Sequence, residues 1–211
     1  MKNTAIIIPT RLEAKRFPNK PLAKINNIPM IIHVLNRARE SKVGEVFVAT
    51  PDKEIIDLVN KNGGNSILTK NNHLSGSDRI YEAYFNNLKD DVDLIINLQG
   101  DMPNIKPDSI AKLEQLMRKN NCGIGTLASY IKDQNEIIDP NVVKVQVEQE
   151  LANNSFLNAK DFFRIKKDLK NEKIYHHIGI YAFTSDALSK YVKLSRSNLE
   201  IERNLEQMRV M

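Results

Sequence analysis

A cluster of cationic side chains follows the first apolar segment of the chain. Residues 5–8 are apolar without interruption, which is typical of a strand buried on both faces. The loop after them is interrupted by prolines and carries four cations, Arg11, Lys15, Arg16 and Lys20. Ligands of an open α/β sheet bind beyond the carboxyl ends of its strands. The loop therefore predicts a phosphate-binding site, and we hypothesise that the chain handles a nucleotide.

A carboxylate, Asp101, follows another apolar segment, residues 94–98. Gly100 precedes it and allows the backbone to turn sharply or to approach a ligand closely. Mg²⁺ prefers one or two carboxylates together with phosphate oxygens and water. Asp101 is therefore a candidate metal ligand. The alternative is an ordinary turn aspartate after a strand, and spacing alone leaves both interpretations open.

Two common phosphate-binding signatures are missing from the sequence. It contains neither G-x-G-x-x-G nor G-x-x-x-x-G-K-[ST], so a dinucleotide oxidoreductase and a P-loop enzyme have no support. Side-chain cations must then neutralise any bound phosphates. The formal charge of +5, from 31 Lys and Arg against 26 Asp and Glu, is spread along the chain. This favours a small anionic ligand over nucleic acid, because the aromatic residues on which bases could stack are few. The densest basic stretch, residues 160–173, predicts a solvated helix or loop.

Strand and helix patterns alternate through the first 120 residues. The predicted strands are residues 5–8, 46–49, 66–68 and 94–98. Helices are predicted from Pro29 to near Gly44, from Asp52 through Val59, after the capping segment 75–78, and over 107–117. Repeated units of this kind build a doubly wound, mostly parallel α/β sheet.

The pattern changes in the second half of the chain. Strands are predicted over 125–128, 142–147 and 178–183, with no long helix between the first two. We therefore expect a single domain over residues 1–211 with a mixed sheet, and a small lobe inserted at about 130–180. The last segment predicts an amphipathic helix over 198–211, with apolar positions at Leu199, Leu205, Met208 and Val210.

Nothing in the sequence predicts a membrane segment. No run approaches the roughly 18 apolar residues that a spanning helix needs, and the first residues have no signal-peptide pattern. We therefore expect a cytoplasmic protein without membrane insertion. The single cysteine, Cys122, excludes an internal disulfide, and we expect it to serve in packing.

Seven segments, in order along the chain, resemble the 3-deoxy-manno-octulosonate (Kdo) cytidylyltransferase family, the CMP-Kdo synthetases. They are residues 8–22, 49–52, 73–79, 97–101, 139–145, 177–181 and 205–209. The run Lys20-Pro21-Leu22 separates this pattern from that of the related sialic-acid activating enzymes. The resemblance covers nearly all of the chain and implies a fold like that of nucleotide-diphospho-sugar transferases.

The resemblance implies transfer of CMP from CTP to the sugar acid Kdo, which yields CMP-Kdo and pyrophosphate for lipopolysaccharide biosynthesis. It implies Mg²⁺ as the cofactor, with Asp101 as its ligand, and a homodimer. Arg11 and Lys20 match the family's phosphate-binding positions and would neutralise the triphosphate, Arg bidentately and Lys as a point charge. Together with Asp101 they are the catalytic candidates.

Two further sets of residues follow from the resemblance. The segment similar to the family's cytosine-binding loop contributes Ser75, Gly76, Ser77 and Arg79. An ordinary capping box is the alternative there, and both roles can coexist. For the sugar acid the resemblance points to Gln99, His177, Tyr181, Glu202 and Gln207. For His177 and Tyr181, core packing is an equally good interpretation of residue type and spacing.

The chain departs from the family pattern at several positions. Asn19 stands where the family usually has glycine, and asparagine tolerates the left-handed backbone that such a turn needs. Ala14 replaces a small hydroxyl residue, Met102 replaces a glutamate, and residues 156–158 replace a Ser-Arg pair. The family also continues beyond the position of Met211 with an acidic segment that supplies a second metal-binding aspartate.

Three hypotheses about function remain open at this point. The first is an active Kdo cytidylyltransferase. The second is a cytidylyltransferase or related pyrophosphorylase that uses another acid sugar or nucleotide. The third is a non-enzymatic or decayed remnant that still binds a nucleotide.

Overall fold

The computed structural model describes residues 3–13, 17–152, 154–166 and 172–211. Ala14, Lys15 and Arg16, which the sequence analysis singled out in the first loop, lie outside these residues. The chain divides into two compact units. The first contains Met1–Gly125 and Ile180–Val192, and the second contains Thr126–Gly179 and Lys193–Met211. A single domain with a lobe inserted at about 130–180 stays a prediction.

Strands and helices alternate along the first 120 residues, as predicted. The strands of the described chain are β1 Asn3–Pro9, β2 Lys24–Ile25, β3 Ile28–Pro29, β4 Glu45–Thr50, β5 Asn65–Leu68, β6 Val92–Asn97, β7 Ile124–Ser129, β8 Lys144–Val147, β9 Ala159–Phe163 and β10 Lys173–Thr184. The helices are α1 Met30–Glu40, α2 Lys53–Lys61, α3 Gly76–Asn87, α4 Pro107–Asn120, α5 Asn135–Ile138, α6 Ser185–Tyr191 and α7 Asn198–Arg203. Among the described helices, none is long and apolar enough to cross a bilayer.

The first unit is built on a mixed, mostly parallel sheet, which confirms the predicted fold class. Strand β1 lies between β4 and β6 and is parallel to both, and β5 extends the sheet beyond β4 in the same direction. The last residues of β10 pair antiparallel with β6, with Tyr181 opposite Asn97. Residues 5–8 of β1 are fully buried because the strand is covered on both faces. This arrangement brings the carboxyl ends of β1 and β6 side by side.

The second unit has its own small apolar core. Strand β8 pairs antiparallel with β9 and with the first residues of β10. Val145, Phe162, Tyr175, Leu205 and Met208 pack together there. Strand β9 was not predicted, because four of its five residues, 160–163, belong to the basic stretch 160–173, whose charges are typical of a solvated helix or loop. Phe162 and Phe163 are nevertheless buried, and residues 167–171 of the same stretch lie outside the described chain.

The predicted helix over 198–211 is wrong. Helix α7 ends at Arg203, Asn204 adopts a left-handed conformation with φ 51°, and a short 3₁₀ helix, Glu206–Val210, follows. Of the apolar positions that suggested one helix face, Leu205 and Met208 are buried, whereas Leu199 and Val210 are exposed. The bend is stabilised by buried Glu200, whose carboxylate accepts hydrogen bonds from Arg209 at 2.8 and 2.9 Å. Asparagine is one of the few residues that end a helix in this conformation at little cost.

Replacement of Asn204 by valine tests this helix end. We expect Asn204→Val to lower the free energy of unfolding by about 1–2 kcal/mol, because a β-branched side chain is strained at positive φ, whereas Asn204→Gly leaves stability unchanged or slightly higher. Urea unfolding measures both. The matched control is Asn36→Val at an exposed position of α1, where the two residues have nearly equal helix propensity. Equal effects of the two valine substitutions would contradict the left-handed assignment.

Candidate functional site

A cleft of about 280 Å³ opens in the first unit, at the carboxyl ends of β1 and β6. It is lined by residues of three segments, the loop after β1, the loop after β6, and the approach to α3 with its first turn. The lining residues are Pro9, Thr10, Arg11, Lys20, Pro21, His73, Leu74, Ser75, Gly76, Arg79, Gln99, Gly100 and Asp101. The structure thus brings together Arg11, Lys20 and Asp101, the three catalytic candidates, with most of the predicted nucleotide-binding residues.

Backbone hydrogen bonds connect the described residues of the first loop. The Asn19 N–H donates to the Leu12 carbonyl at 3.0 Å, and residues Lys20–Leu22 form one turn of 3₁₀ helix that buries Pro21. Asn19 itself has φ 57° and ψ 21°. Asparagine thus adopts the left-handed conformation that was expected to be tolerated at this position.

Asp52 anchors the same loop, a role that the sequence analysis missed. It occupies the predicted N-cap position of α2, but its side chain makes no capping hydrogen bond. One carboxylate oxygen instead accepts the Leu12 N–H at 2.8 Å, across 40 residues of sequence. The only sequence signal was the family-like segment 49–52, since a local pattern cannot identify a distant partner.

Lys20 and Asp101 meet at the mouth of the cleft. The Lys20 ammonium lies 2.6 Å from a carboxylate oxygen of Asp101, and the two side chains are 37% and 49% exposed. A divalent cation at Asp101 would compete with Lys20 for this oxygen. Glycine suits position 100 beside them, because a Cβ there would lie 3.1 Å from the Pro9 carbonyl oxygen, a tight contact. The turn after β6 therefore favours a residue without a side chain.

The start of α3 forms another wall of the cleft. The Ser75 hydroxyl accepts the Asp78 N–H at 3.1 Å, and the Asp78 carboxylate accepts the Ser75 N–H at 3.2 Å, which confirms the capping box. Ser75 and Gly76 line the cleft, whereas Ser77 is buried and does not belong to the lining. The capping and cleft roles of this segment coexist, because the first N–H groups of a helix remain available to an anionic or polar ligand.

Arg79 is a buried cation in the wall of the cleft, with only 3% of its surface exposed. Its guanidinium donates to the Thr69 hydroxyl at 2.5 Å and to the Lys70 carbonyl at 2.9 Å. Burial, and next the charge of Arg11, lower the pKa of Arg79, while the carboxylates of Asp52 and Glu82 oppose this shift. Two guanidinium groups close enough to affect one another concentrate positive potential in the cleft, and a bound polyanion would relieve their repulsion.

Two of the sugar-acid candidates lie in the first unit. Gln99 lines the cleft, and its amide donates to Asn97 at 3.0 Å. Tyr181 packs against the core in β10, with its ring 6.1 Å from that of Phe183. Gln99 is therefore the candidate that the structure places beside Asp101.

The other three candidates lie in the second unit. Glu202 is exposed on α7, and Gln207 is buried in the terminal 3₁₀ helix. His177 is buried, with Nε2 2.9 Å from the Thr126 hydroxyl and its ring edge-on to Phe162 at 4.9 Å. Burial first, and then the charge of His176, lower the pKa of His177 from 6.5 to about 4. Its imidazole is therefore neutral at physiological pH.

Comparison with known proteins identifies the class of molecule that carries this cleft. A model of the cytidylyltransferase family matches residues 5–211. The chain is 42% identical to the 3-deoxy-manno-octulosonate cytidylyltransferase of Brucella canis over 99% of its own length and 83% of that protein. The Brucella anthropi protein of the same name is 42% identical, with 84% of its length covered. The chain belongs to the 3-deoxy-manno-octulosonate cytidylyltransferase family.

Solved structures agree with this assignment. A CMP:2-keto-3-deoxy-manno-octonic acid synthetase complexed with CTP superposes with a TM-score of 0.88 at 36% identity, covering 99% of this chain and 85% of that one. A 4-diphosphocytidyl-2C-methyl-D-erythritol synthase from Anaerococcus prevotii shares the fold, with a TM-score of 0.60 at 13% identity over 98% of this chain and 82% of that one. The chain is thus a nucleotidyltransferase in fold and family.

Removal of the Asp52 carboxylate tests its anchoring role. We expect Asp52→Ala to lower the free energy of unfolding by about 1–3 kcal/mol and to speed hydrogen exchange at the Leu12 amide, because this donor loses its charged acceptor. Denaturant unfolding and exchange mass spectrometry measure the two effects. Asp57→Ala, at an exposed position of the same helix, is the control and should change stability by no more than about 0.5 kcal/mol. Unchanged exchange at Leu12 in Asp52→Ala would contradict the role.

The pH dependence of stability tests the burial of His177. The unfolded chain takes up the proton near pH 6.5 and the folded protein only near pH 4, so the unfolded state holds more protons throughout this interval. Stability therefore falls as the pH decreases from about 6.5 to about 4, by at most about 3 kcal/mol from this residue. We expect His177→Gln to flatten this part of the unfolding profile. An equally steep profile in His177→Gln would argue against a buried, neutral ring.

Proposed function

We propose that this chain transfers CMP from CTP to Kdo, which yields CMP-Kdo and pyrophosphate. The observation that carries the proposal is the meeting of Lys20 and Asp101, from two separate loops, at the mouth of a cleft that Arg11 and Arg79 also line. A triphosphate with a divalent cation needs this combination of fixed positive groups and a carboxylate. We infer the identities of the nucleotide, CTP, and of the sugar acid, Kdo, from the names of the relatives.

The cations would act mainly by neutralising and orienting the triphosphate. Phosphoryl-type transfer asks little covalent chemistry of the protein and depends on position and charge. Arg11 offers a planar fork that matches phosphate oxygens, and Lys20 offers a mobile point charge. When a triphosphate binds, Lys20 can exchange its carboxylate partner for a phosphate oxygen.

The residues present fit a magnesium ion that is shared with the substrate. No group of three or more acidic, histidine or cysteine side chains in the described part of the chain could hold a metal by itself. Asp101 offers a half-exposed carboxylate at the cleft, and Mg²⁺ is commonly held by one or two carboxylates with phosphate oxygens and water. The bound ion would polarise the α-phosphate.

The nucleoside end of CTP would lie against the start of α3. Ser75 and Gly76 line the cleft there, and the first N–H groups of the helix point out of its end. Arg79, which also lines the cleft, stabilises this wall through its hydrogen bonds to Thr69 and Lys70. The cytosine role of residues 75–79 is proposed from the family resemblance.

The sugar acid would react through its anomeric hydroxyl. The hydroxyl would release its proton to solvent as its oxygen forms a bond to the α-phosphorus. The bond from this phosphorus to the bridging oxygen of the β-phosphate would break, and pyrophosphate would leave. Gln99, which lines the cleft together with Asp101, would contact the sugar. The roles of His177, Tyr181, Glu202 and Gln207 are proposed from the resemblance, as are a homodimer, a cytoplasmic location and a place in lipopolysaccharide assembly.

Asp101→Asn is the direct test of the proposed mechanism. We expect pyrophosphate release from CTP, Kdo and Mg²⁺ to fall by about 100-fold or more, because a carboxylate that positions the ion is lost. In the absence of Mg²⁺, CTP affinity should stay equal or increase, because Lys20 loses its competing partner. A coupled pyrophosphate assay and calorimetry measure the two quantities, and Asp108→Asn on the exposed start of α4 is the matched control.

Three other outcomes would redirect the assignment. Full activity in Asp101→Asn would remove the metal role of this residue. Faster turnover with another acid sugar, or with UTP, GTP or ATP, would assign the chain to a different substrate. Tight CTP binding without any pyrophosphate release would favour a nucleotide-binding remnant.

A further inference from the structure

Glu82 lies on α3 one turn after Arg79 and does not belong to the cleft lining. One of its carboxylate oxygens accepts the Lys70 N–H at 3.0 Å and a short hydrogen bond from the ring of His73. Its side chain is only 17% exposed. Burial alone would raise the pKa of Glu82, but the bonds from His73 and Lys70 outweigh it and keep the pKa below its ordinary value. The residue therefore remains a carboxylate.

Arg79 and Glu82 bond to the two peptide groups that flank Lys70. Arg79 donates to the Lys70 carbonyl, and Glu82 accepts from the Lys70 N–H. The two residues are three positions apart, so they project from the same face of α3. We call this arrangement the Lys70 clamp. It fastens the segment between β5 and α3 to the helix by polar contacts.

This segment has few other means of keeping its position. It leads from Thr69, whose N–H continues the strand ladder to the Thr50 carbonyl at 2.9 Å, to the cleft residues His73 and Leu74. Leu74 is 91% exposed, so no apolar burial holds the segment on the side of the cleft. The clamp adds two polar contacts at the start of the segment, and the His73 ring adds a third through Glu82.

We infer that Glu82 is a positioning residue for the nucleotide, which acts by fixing the wall formed by residues 70–74. It also places a negative charge near the buried guanidinium of Arg79, whose protonated form it stabilises. The inference rests on the proposed function for the identity of the nucleotide. The clamp itself is a property of the chain alone and can be measured without any ligand.

The experiment compares Glu82→Ala with Glu82→Gln. Glu82→Ala lacks the acceptor. We expect the Kd and KM for CTP to rise about tenfold in this variant, because one hydrogen bond to a charged group is lost. The KM for Kdo should change less than about twofold. Glu82→Gln keeps an acceptor of the same shape and should recover most of the affinity. Hydrogen exchange of residues 69–74 should accelerate in the alanine variant and stay near the wild-type rate in the glutamine variant.

Glu114→Ala is the matched control. Glu114 is also a partly buried helical glutamate, and it accepts from the Thr4 hydroxyl at 3.2 Å and pairs with Arg118. This variant should lose stability to a similar extent yet keep the wild-type affinity for CTP. Equal losses of CTP affinity in Glu114→Ala and Glu82→Ala, or wild-type affinity in Glu82→Ala, would overturn the positioning role. If the wild-type protein does not bind CTP, the proposed function fails, and unchanged exchange of residues 69–74 in Glu82→Ala would separately refute the clamp.

Discussion

The ion pair between Lys20 and Asp101 joins two loops that leave neighbouring parallel strands. Both side chains are more than one third exposed, and ion pairs of this kind contribute only about 0–1 kcal/mol to stability. The pair is therefore easily exchanged for contacts with a ligand. The pair keeps a cation and a carboxylate close together. A triphosphate can therefore bind the cation, and a metal ion the carboxylate, without a large rearrangement of the two loops.

So weak a pair can form reproducibly only if rigid parts of the molecule hold both loops. Strand β1 is fully buried over residues 5–8, and the Asp52 carboxylate fixes the loop after it through Leu12. On the other side, the narrow space beside the Pro9 carbonyl, where a Cβ at position 100 would be tightly packed, limits the turn after β6. The capping box of α3 and the Lys70 clamp fix the third wall. The exposed groups of the cleft thus stand on a scaffold of hydrogen bonds, one of which, from Leu12 to Asp52, joins segments distant in sequence.

The features that the sequence predicted are those encoded by local patterns. Apolar runs identified β1, β4 and β6, and the Ser75 to Asp78 spacing identified the capping box. Three features could not be found this way. The partner of Asp52 lies 40 residues away, β9 was concealed by the charges around its two phenylalanines, and the turn at Asn204 interrupted an apolar spacing that suited a continuous helix. In each case a contact distant in sequence, or one backbone conformation, outweighed the local signal.

Charge also limits how the sugar acid can be recognised. Kdo carries a carboxylate, yet none of the five candidates taken from the resemblance is a cation. Gln99, Tyr181 and Gln207 are neutral and Glu202 is acidic. Because burial lowers the pKa of His177 to about 4, this residue is neutral as well at physiological pH. These residues can therefore supply shape and hydrogen bonds, and the positive charge that a carboxylate requires must come from another group, an arginine, a lysine or a bound metal ion.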